Sequence, residues 1–191
     1  MSSTAASAVS AAVTNASSTW KIDPAHSVAE FKVRHMMISY VRGEFAGLSG
    51  VLKLEETDYT RSTIEASIPV AGIKTVDDKL DAHLKEADFF DVAKFPTITF
   101  KSTKILSKGD RDFAVTGDLT IHGVTKSVTL TVNDVSQPAV DPWGNHRIGL
   151  SASVKINRKD FGIQWNVALD AGGVLVGDEV AISLDVEFIK E

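Results

Sequence analysis

The chain has 191 residues, and its composition excludes several classes of protein. It contains no cysteine, which excludes disulfides, thiolate metal sites and cysteine nucleophiles. Lys and Arg number 20 against 25 Asp and Glu, a net charge of -5, and no segment is basic enough to follow a phosphate backbone. We therefore expect no nucleic-acid partner. The hydrophobic fraction of 43% is sufficient for one buried core.

The start of the chain is rich in alanine and serine. Residues 1–19 carry no Lys or Arg and no continuous apolar segment, so they do not match a secretory signal. We predict a disordered tail over 1–19, a folded domain over 20–191 and a cytoplasmic location. No segment approaches the ~18 apolar residues that span a bilayer, so we expect no stable membrane insertion.

The next part of the chain shows the two-residue periodicity of β-strands. We predict strands over residues 27–35, 43–54 and 62–70. The first of these places Ala29, Phe31, Val33 and His35 on one face. Glycines interrupt the second strand, where they indicate bulges or bends. A helix is predicted over about residues 75–87, with Thr75 as its N-cap and acidic residues in its first turn.

A segment rich in aromatic residues, Asp88–Thr103, joins the helix to the following strand. Pro96 disfavours helical geometry at Phe95, so the helix must end before that residue. After Pro96, Ile98 and Phe100 alternate with threonines, which indicates a strand. The chain therefore changes here from helix to sheet.

The second half of the chain predicts long strands separated by short turns. These strands cover residues 97–105, 113–121, 124–135, 147–156 and 179–189. The total is about eight strands in up-and-down order, which close most simply into an antiparallel barrel. The predicted class is all-β with one inserted helix. An eight-stranded barrel has room inside for side chains or for one small ligand.

The predicted inner face mixes small and large side chains. The small ones are Ala29, Gly43, Ala66, Ser102, Gly117 and Ala152. They would leave an apolar volume suited to a hydrocarbon chain, at about 0.8 kcal/mol for each buried methylene. The alternative is an interior filled by Phe31, Phe45, Phe100, Phe113 and Phe188. Periodicity alone is compatible with both interiors.

Several motifs together resemble the YceI-like polyisoprenoid-binding family. They lie in order at residues 20–27, 31–39, 41–45, 81–84, 88–100, 117–125 and 158–163. The most specific is Asp81-Ala-His-Leu84 followed by the Asp-Phe-Phe-Asp-Val-Ala-Lys-Phe-Pro sequence that begins at Asp88. The resemblance covers Trp20–Glu191 without a missing block.

The resemblance implies a lipocalin-like, eight-stranded antiparallel barrel whose apolar pore holds an isoprenoid chain, with the head group near the mouth. The implied function is non-enzymatic binding, storage or transport of a polyisoprenoid or an isoprenoid quinone. It also implies a possible homodimer, and a periplasmic location as the alternative to a cytoplasmic one. Other long-chain amphiphiles such as fatty acids or amides, and a filled structural or interaction barrel, remain alternatives.

The predicted ligand-binding side chains face the barrel interior or its mouth. They are Phe31, Val33, His35, Met37, Phe45, Ile98, Phe100, Leu119, Leu150, Ala152, Trp165, Ile182 and Leu184. His35 either hydrogen-bonds a head group or is satisfied by the backbone. Arg34 and Arg42 are either solvated or ion-paired, or they recognise a pyrophosphate head group. Apart from the lipid, we expect no cofactor and no metal.

The sequence contains no nucleophile elbow, zinc-protease motif or phosphate-binding glycine loop, so we expect no enzymatic activity. A metal site formed by Asp81, His83 and His122 is disfavoured, because helix residues two positions apart point in different directions. We expect Asp81 to pair locally and His83 to pack the helix against the barrel. A histidine-dependent enzyme or metalloprotein that uses His35, His83 or His122 remains the rival reading.

Overall fold

The computed structural model describes residues 17–170 and 172–191. In this part of the chain the predicted closed eight-stranded antiparallel barrel is confirmed, with a single α-helix. The strands are β1 (Ser17–Ile22), β2 (Val28–His35), β3 (Ser39–Phe45), β4 (Ser49–Glu55), β5 (Thr63–Pro69), β6 (Ile73–Thr75), β7 (Thr97–Gly109), β8 (Asp112–Ile121), β9 (Val124–Asn133), β10 (Ala139–Val140), β11 (His146–Asn157) and β12 (Val176–Lys190). The helix is α1 (Asp78–Lys85). Among the described residues, no helix is long and apolar enough to cross a bilayer.

The structure has twelve strand segments because three of the eight barrel strands are each interrupted by a turn, and because the two-residue β10 pairs with β11 as an additional segment. β1 and β2 form the first interrupted strand, and both pair with β12. β4 and β3 form the second: β4 pairs with β1, and β3 pairs with β2. β5 and β6 form the third: β5 pairs with β4, and β6 pairs with β3. The order then continues through β7, β8, β9 and β11. The barrel closes where β11 pairs with β12, from Arg147 opposite Ile189 to Asn157 opposite Glu179.

The two ends of the barrel differ. The far end, where β1 begins and β12 ends, is closed by the buried side chains of Trp20, Ile148 and Phe188. At the other end, called the helix end, neighbouring strands separate in two places. β6 does not pair with β7, and α1 with residues 86–96 fills that gap. β9 pairs with β11 only at Thr131–Asn133, and a 3₁₀ turn at Arg158–Phe161 contacts both strands beyond this point.

The helix is shorter than predicted, and its N-cap is Asp77, whose side chain accepts a hydrogen bond from the backbone N–H of Lys79 at 2.9 Å. The prediction that Thr75 is the N-cap is wrong, because Thr75 ends β6 opposite Gly43. Its N–H and hydroxyl both donate to Asp81 Oδ1 at 2.6 Å. These bonds from Thr75, with a contact from Lys74, hold the pKa of Asp81 below its ordinary value. Asp81 therefore pairs locally, as predicted.

Other boundaries also differ from the sequence prediction. Residues 1–16 of the predicted tail lie outside the described residues, but Ser17–Thr19 pair with Lys53–Glu55, so the first strand begins inside that tail. The strand predicted over 43–54 is the end of β3 and all of β4, separated by a turn at Gly47 with a φ of 83°. The interruption predicted at the glycines of this segment therefore falls at Gly47, where it separates two strands.

An ion cluster fastens the far end. The Arg147 guanidinium donates to Asp23 Oδ2 at 2.8 Å, to Asp141 Oδ2 at 2.7 Å and to Glu187. It thereby joins the β1–β2 turn, the β10–β11 loop and β12. His26 Nδ1 also lies 2.8 Å from Asp23 Oδ2. The hydrogen bonds from His26 and Arg147 lower the pKa of Asp23 from 3.8 to about 2.

We expect the stability of the protein to fall as the pH is lowered from about 4 to about 2. In this window the unfolded chain protonates Asp23 while the folded chain keeps it ionised, so unfolding takes up a proton. The slope of the unfolding free energy against pH should be smaller in Asp23→Asn than in wild type, measured by urea denaturation. Asp110→Asn, a change of an exposed carboxylate in the β7–β8 turn, is the control. Equal slopes for all three proteins would contradict this role of the cluster.

Candidate functional site

The barrel encloses a cavity of about 490 Å³ whose wall consists mainly of aliphatic and aromatic side chains. The wall includes Phe31, Phe45, Phe100 and Phe188, which therefore do not fill the interior. Phe113 instead faces a smaller pocket toward the far end. The open interior, and not the filled one, is the arrangement in the structure.

Nearly all of the predicted ligand-binding residues lie in this wall. Those that line the cavity are Phe31, Val33, His35, Phe45, Ile98, Phe100, Leu119, Leu150, Ala152, Trp165, Ile182 and Leu184. Met37 does not line it. This side chain sits in the β2–β3 turn with 55% of its surface exposed, because the strand alternation that directs Phe31, Val33 and His35 inward ends at His35.

The small residues on the inner face have two different roles. Ala29, Ala66 and Ala152 line the cavity directly. Gly43 and Gly117 are covered by rings: a Cβ on Gly43 would lie 2.6 Å from the Phe31 ring, and one on Gly117 would lie 2.4 Å from the Phe100 ring. These glycines let the rings pack against the wall, which keeps the axis of the barrel open.

Ser102, the remaining small residue, is not in the lining. Its hydroxyl accepts the N–H of Ile64 at 2.8 Å, beside a register shift between β7 and β8. The side chain therefore satisfies a main-chain donor at this irregularity.

Aromatic side chains cover the cavity at the helix end. The rings of His83, Phe89 and Trp165 pack on one another with centroid distances of 5.0–5.1 Å. Phe90 packs edge-on against Phe45 at 5.8 Å. His83 thus packs α1 against the barrel, as predicted. The aromatic sequence that begins at Asp88 closes this end of the barrel.

Several residues of the wall were not predicted, because they come from the helix and from irregular segments. They are Leu80, Leu84, Phe89, Phe161 and Ile163. No strand alternation marks them. The spacing of Leu80 and Leu84 on the predicted helix was the available signal for the first two.

Arg158 is a buried cation in the wall, with 5% of its surface exposed. Its guanidinium donates to the carbonyl oxygens of Gly177 and Ile163 at 2.9 Å and of Trp165 at 2.8 Å. Burial lowers the pKa of this group. The negative charge of Asp178, 3.6 Å away, raises the pKa and so partly offsets the effect of burial. Arg158 therefore holds the segment that carries Trp165 against the start of β12. The sequence analysis assigned it no role.

Apart from Glu30, which lies opposite Ser183 near the middle of β12, the other ionisable residues of the wall lie at the helix end. His35 lies between Ser39 and Val176 in the sheet, and His83 Nε2 is 3.3 Å from Asp88 Oδ2. Arg34 stacks on the Tyr40 ring, 4.1 Å from its centroid. Arg42 is exposed and does not line the cavity. Any head group that requires hydrogen bonds would therefore find them at this end.

The predicted trio Asp81, His83 and His122 does not form a cluster of metal ligands. Asp81 accepts from Thr75, and the His122 ring packs on Phe95 at 4.5 Å. Within residues 17–170 and 172–191, the one cluster of three potential ligands is Asp23, His26 and Glu187 at the far end. Arg147 already occupies both carboxylates of that cluster.

Comparison with known proteins gives a consistent family. The model of the YceI-like domain matches residues 20–188. Protein YceI of Escherichia coli is 35% identical over 174 residues, which cover 90% of this chain and 87% of that protein. A UPF0312 protein of Vibrio cholerae is 34% identical over 140 residues, covering 73% of this chain and 74% of the relative.

Solved structures share the fold. The crystal structure of Burkholderia cenocepacia BcnA has a TM-score of 0.74 and 25% identity, and covers 87% of this chain and 98% of its own. A polyisoprenoid binding domain from Saccharophagus degradans, implicated in plant cell wall breakdown, has a TM-score of 0.66. It is 15% identical and covers 90% of this chain and 98% of its own, a likeness that concerns the fold alone.

We expect Arg158→Met to lower the unfolding free energy by about 2–4 kcal/mol, because three buried carbonyl oxygens would lose their donors. Lys159→Met is the matched control: Lys159 contacts Asp178 at the surface and should contribute less than about 1 kcal/mol. Urea denaturation measures both changes. Equal stabilities of the two variants would contradict the role given to Arg158.

Proposed function

Because the chain belongs to the YceI-like family, we propose that it binds a long-chain isoprenoid, either a polyisoprenoid alcohol or an isoprenoid quinone, inside its barrel. On this proposal the protein stores or carries the lipid and catalyses no reaction. The observation that carries the proposal is the apolar cavity of about 490 Å³, which lies within the usual size range of ligand pockets.

The shape of the cavity favours a chain over a compact ligand. Its wall follows β12 from Val176 to Phe188, a path of roughly 40 Å at ~3.3 Å per residue measured along the strand. The lining is apolar along this path. Each methylene transferred from water into it contributes about 0.8 kcal/mol, so a long hydrocarbon chain gains affinity along its whole length.

The electrostatics of the wall favour an uncharged head group. A carboxylate or diphosphate buried in the barrel would require a free cation. The wall contains two cations: Arg158, whose short hydrogen bonds go to main-chain carbonyl oxygens, and Arg34, which is exposed and stacks on the Tyr40 ring instead of facing the buried part of the cavity. A hydroxyl or a quinone oxygen needs only a neutral partner, which His35 or His83 at the helix end can offer. This difference supports an isoprenoid alcohol or quinone over a fatty acid.

We expect Val154→Trp to fill the cavity and to weaken binding of a polyprenol or an isoprenoid quinone by at least about tenfold, since the new ring takes the space of the chain. Val154 lies in the wall opposite Ile182. If the space is open, the variant should also avoid most of the ~1–3 kcal/mol that overpacking costs in a filled core. Binding is measured by titration with ligand dispersed without vesicles, and bound lipid by mass spectrometry of an organic extract.

Ser153→Trp is the matched control, because it adds the same ring on the neighbouring, exposed position of β11. It should bind ligand like wild type. The proposal is wrong if wild type neither contains nor binds an isoprenoid, or if Val154→Trp binds as tightly as Ser153→Trp. A different long-chain amphiphile in the extract would support the fatty acid or amide alternative instead.

A further inference from the structure

The β2–β3 turn presents apolar side chains to solvent beside the cavity. Of the surfaces of Met37 and Ile38, 55% and 79% respectively are exposed. Met36 is 41% exposed, and its N–H donates to the carbonyl oxygen of Leu175, a residue of the cavity wall, at 2.7 Å. Leu175 in turn donates to Val167, which is 45% exposed. These neighbouring segments form one apolar rim at the helix end.

The conformation of this turn is unfavourable for its residues. Ile38 N–H donates to His35 O at 3.1 Å, and the two central residues, Met36 and Met37, have φ values of 50° and 62°. Positive φ at both central positions defines a type I′ turn, for which asparagine and glycine are the preferred residues. An Asn-Gly pair would be both less strained and more soluble. Local strain combined with exposed apolar side chains is typical of a functional site.

Positive charge surrounds the base of the turn. Lys32 lies directly opposite Arg42 in the β2–β3 ladder, an arrangement that costs stability by repulsion. Lys32 Nζ and Arg34 Cζ both lie over the Tyr40 ring, 4.2 and 4.1 Å from its centroid. The sequence from Lys32 to Arg42 contains no Asp or Glu.

We propose that the β2–β3 hairpin docks the helix end of the barrel on the surface of an anionic lipid bilayer. Met36, Met37 and Ile38 enter the boundary between head groups and acyl chains, Tyr40 lies at the head-group level, and Lys32, Arg34 and Arg42 bind the lipid phosphates. Apolar tips, interfacial tyrosines and flanking cations are the features by which proteins bind membrane surfaces. The inference rests on the proposed function for its purpose, since it places the cavity rim where an isoprenoid leaves or enters the bilayer.

The first experiment measures co-sedimentation of the protein with vesicles of phosphatidylcholine, alone or mixed with phosphatidylglycerol. We expect wild type to bind the mixed vesicles, with an affinity that falls as salt is raised. The double variant Met36→Asn/Met37→Gly should lose at least about tenfold in vesicle affinity, because two of the three apolar side chains of the tip are removed. Its thermal midpoint should equal or exceed that of wild type, because the new residues suit the turn.

Two further variants test the contribution of the hairpin's positive charges and the specificity of its apolar side chains. Lys32→Gln/Arg42→Gln removes two of the three proposed phosphate-binding cations and should reduce the preference for phosphatidylglycerol. Val140→Ser/Trp143→Ser is the matched control, because it removes exposed apolar side chains near the far end of the barrel, and it should bind vesicles like wild type.

Since the chain has no cysteine, an environment-sensitive dye on Met37→Cys can report insertion, with Trp143→Cys as the negative control. The dye should shift to the blue with vesicles only at position 37.

The results of these vesicle experiments can be distinguished from the results of the isoprenoid-binding experiments that test the proposed function. Met36→Asn/Met37→Gly should still bind isoprenoid that is dispersed without vesicles, because Met36 and Met37 lie outside the cavity wall. The docking proposal is overturned if wild type does not bind anionic vesicles, or if the hairpin variant binds them equally well. It is also overturned if the hairpin variant instead converts a dimer to a monomer in light scattering, which would assign the rim to a second copy of the chain.

Discussion

The two-sided pairing of β12 is the interaction on which the rest of the structure depends. One edge of this strand pairs with β11 over almost the whole length of both strands. The other edge pairs with β1 near its C-terminal end and with β2 over its N-terminal half. Because β12 pairs with β1 and β2 along one edge and with β11 along the other, it closes the sheet into a barrel. The enclosed apolar cavity is a consequence of that closure.

The barrel is closed at the far end and incompletely closed at the helix end. Buried polar side chains compensate for the missing strand pairing at the helix end. Where strands separate, the main chain lacks ladder partners, and buried side chains supply them. Asp81 accepts from Thr75 at the end of β6, and Arg158 donates to three carbonyl oxygens beside the start of β12. The contacts of both charged residues are those of structural supports.

Much of the wall could be predicted from alternation. Ala29, Phe31, Val33 and His35 share one face of a strand because the period of two dictates it, and all four line the cavity. Alternation does not reveal where a strand changes its partner, so the role of Thr75 as the end of β6 was missed. Leu80, Phe89 and Arg158 lie on non-periodic segments, and only tertiary packing brings them to the cavity. Met37 lies outside the wall because the strand alternation ends at His35, so its predicted contact with a ligand stays a prediction for the mouth of the barrel.

The open interior and the strained hairpin are both departures from maximal stability. Side chains that line a cavity make fewer dispersion contacts with one another than the side chains of a tightly packed core. The glycines under Phe31 and Phe100 maintain this space, while the β2–β3 turn places methionines where Asn-Gly would be more favourable. A ligand that binds only the folded barrel would stabilise it by mass action. The cavity wall and the hairpin meet at Leu175, so the two departures adjoin each other in the structure.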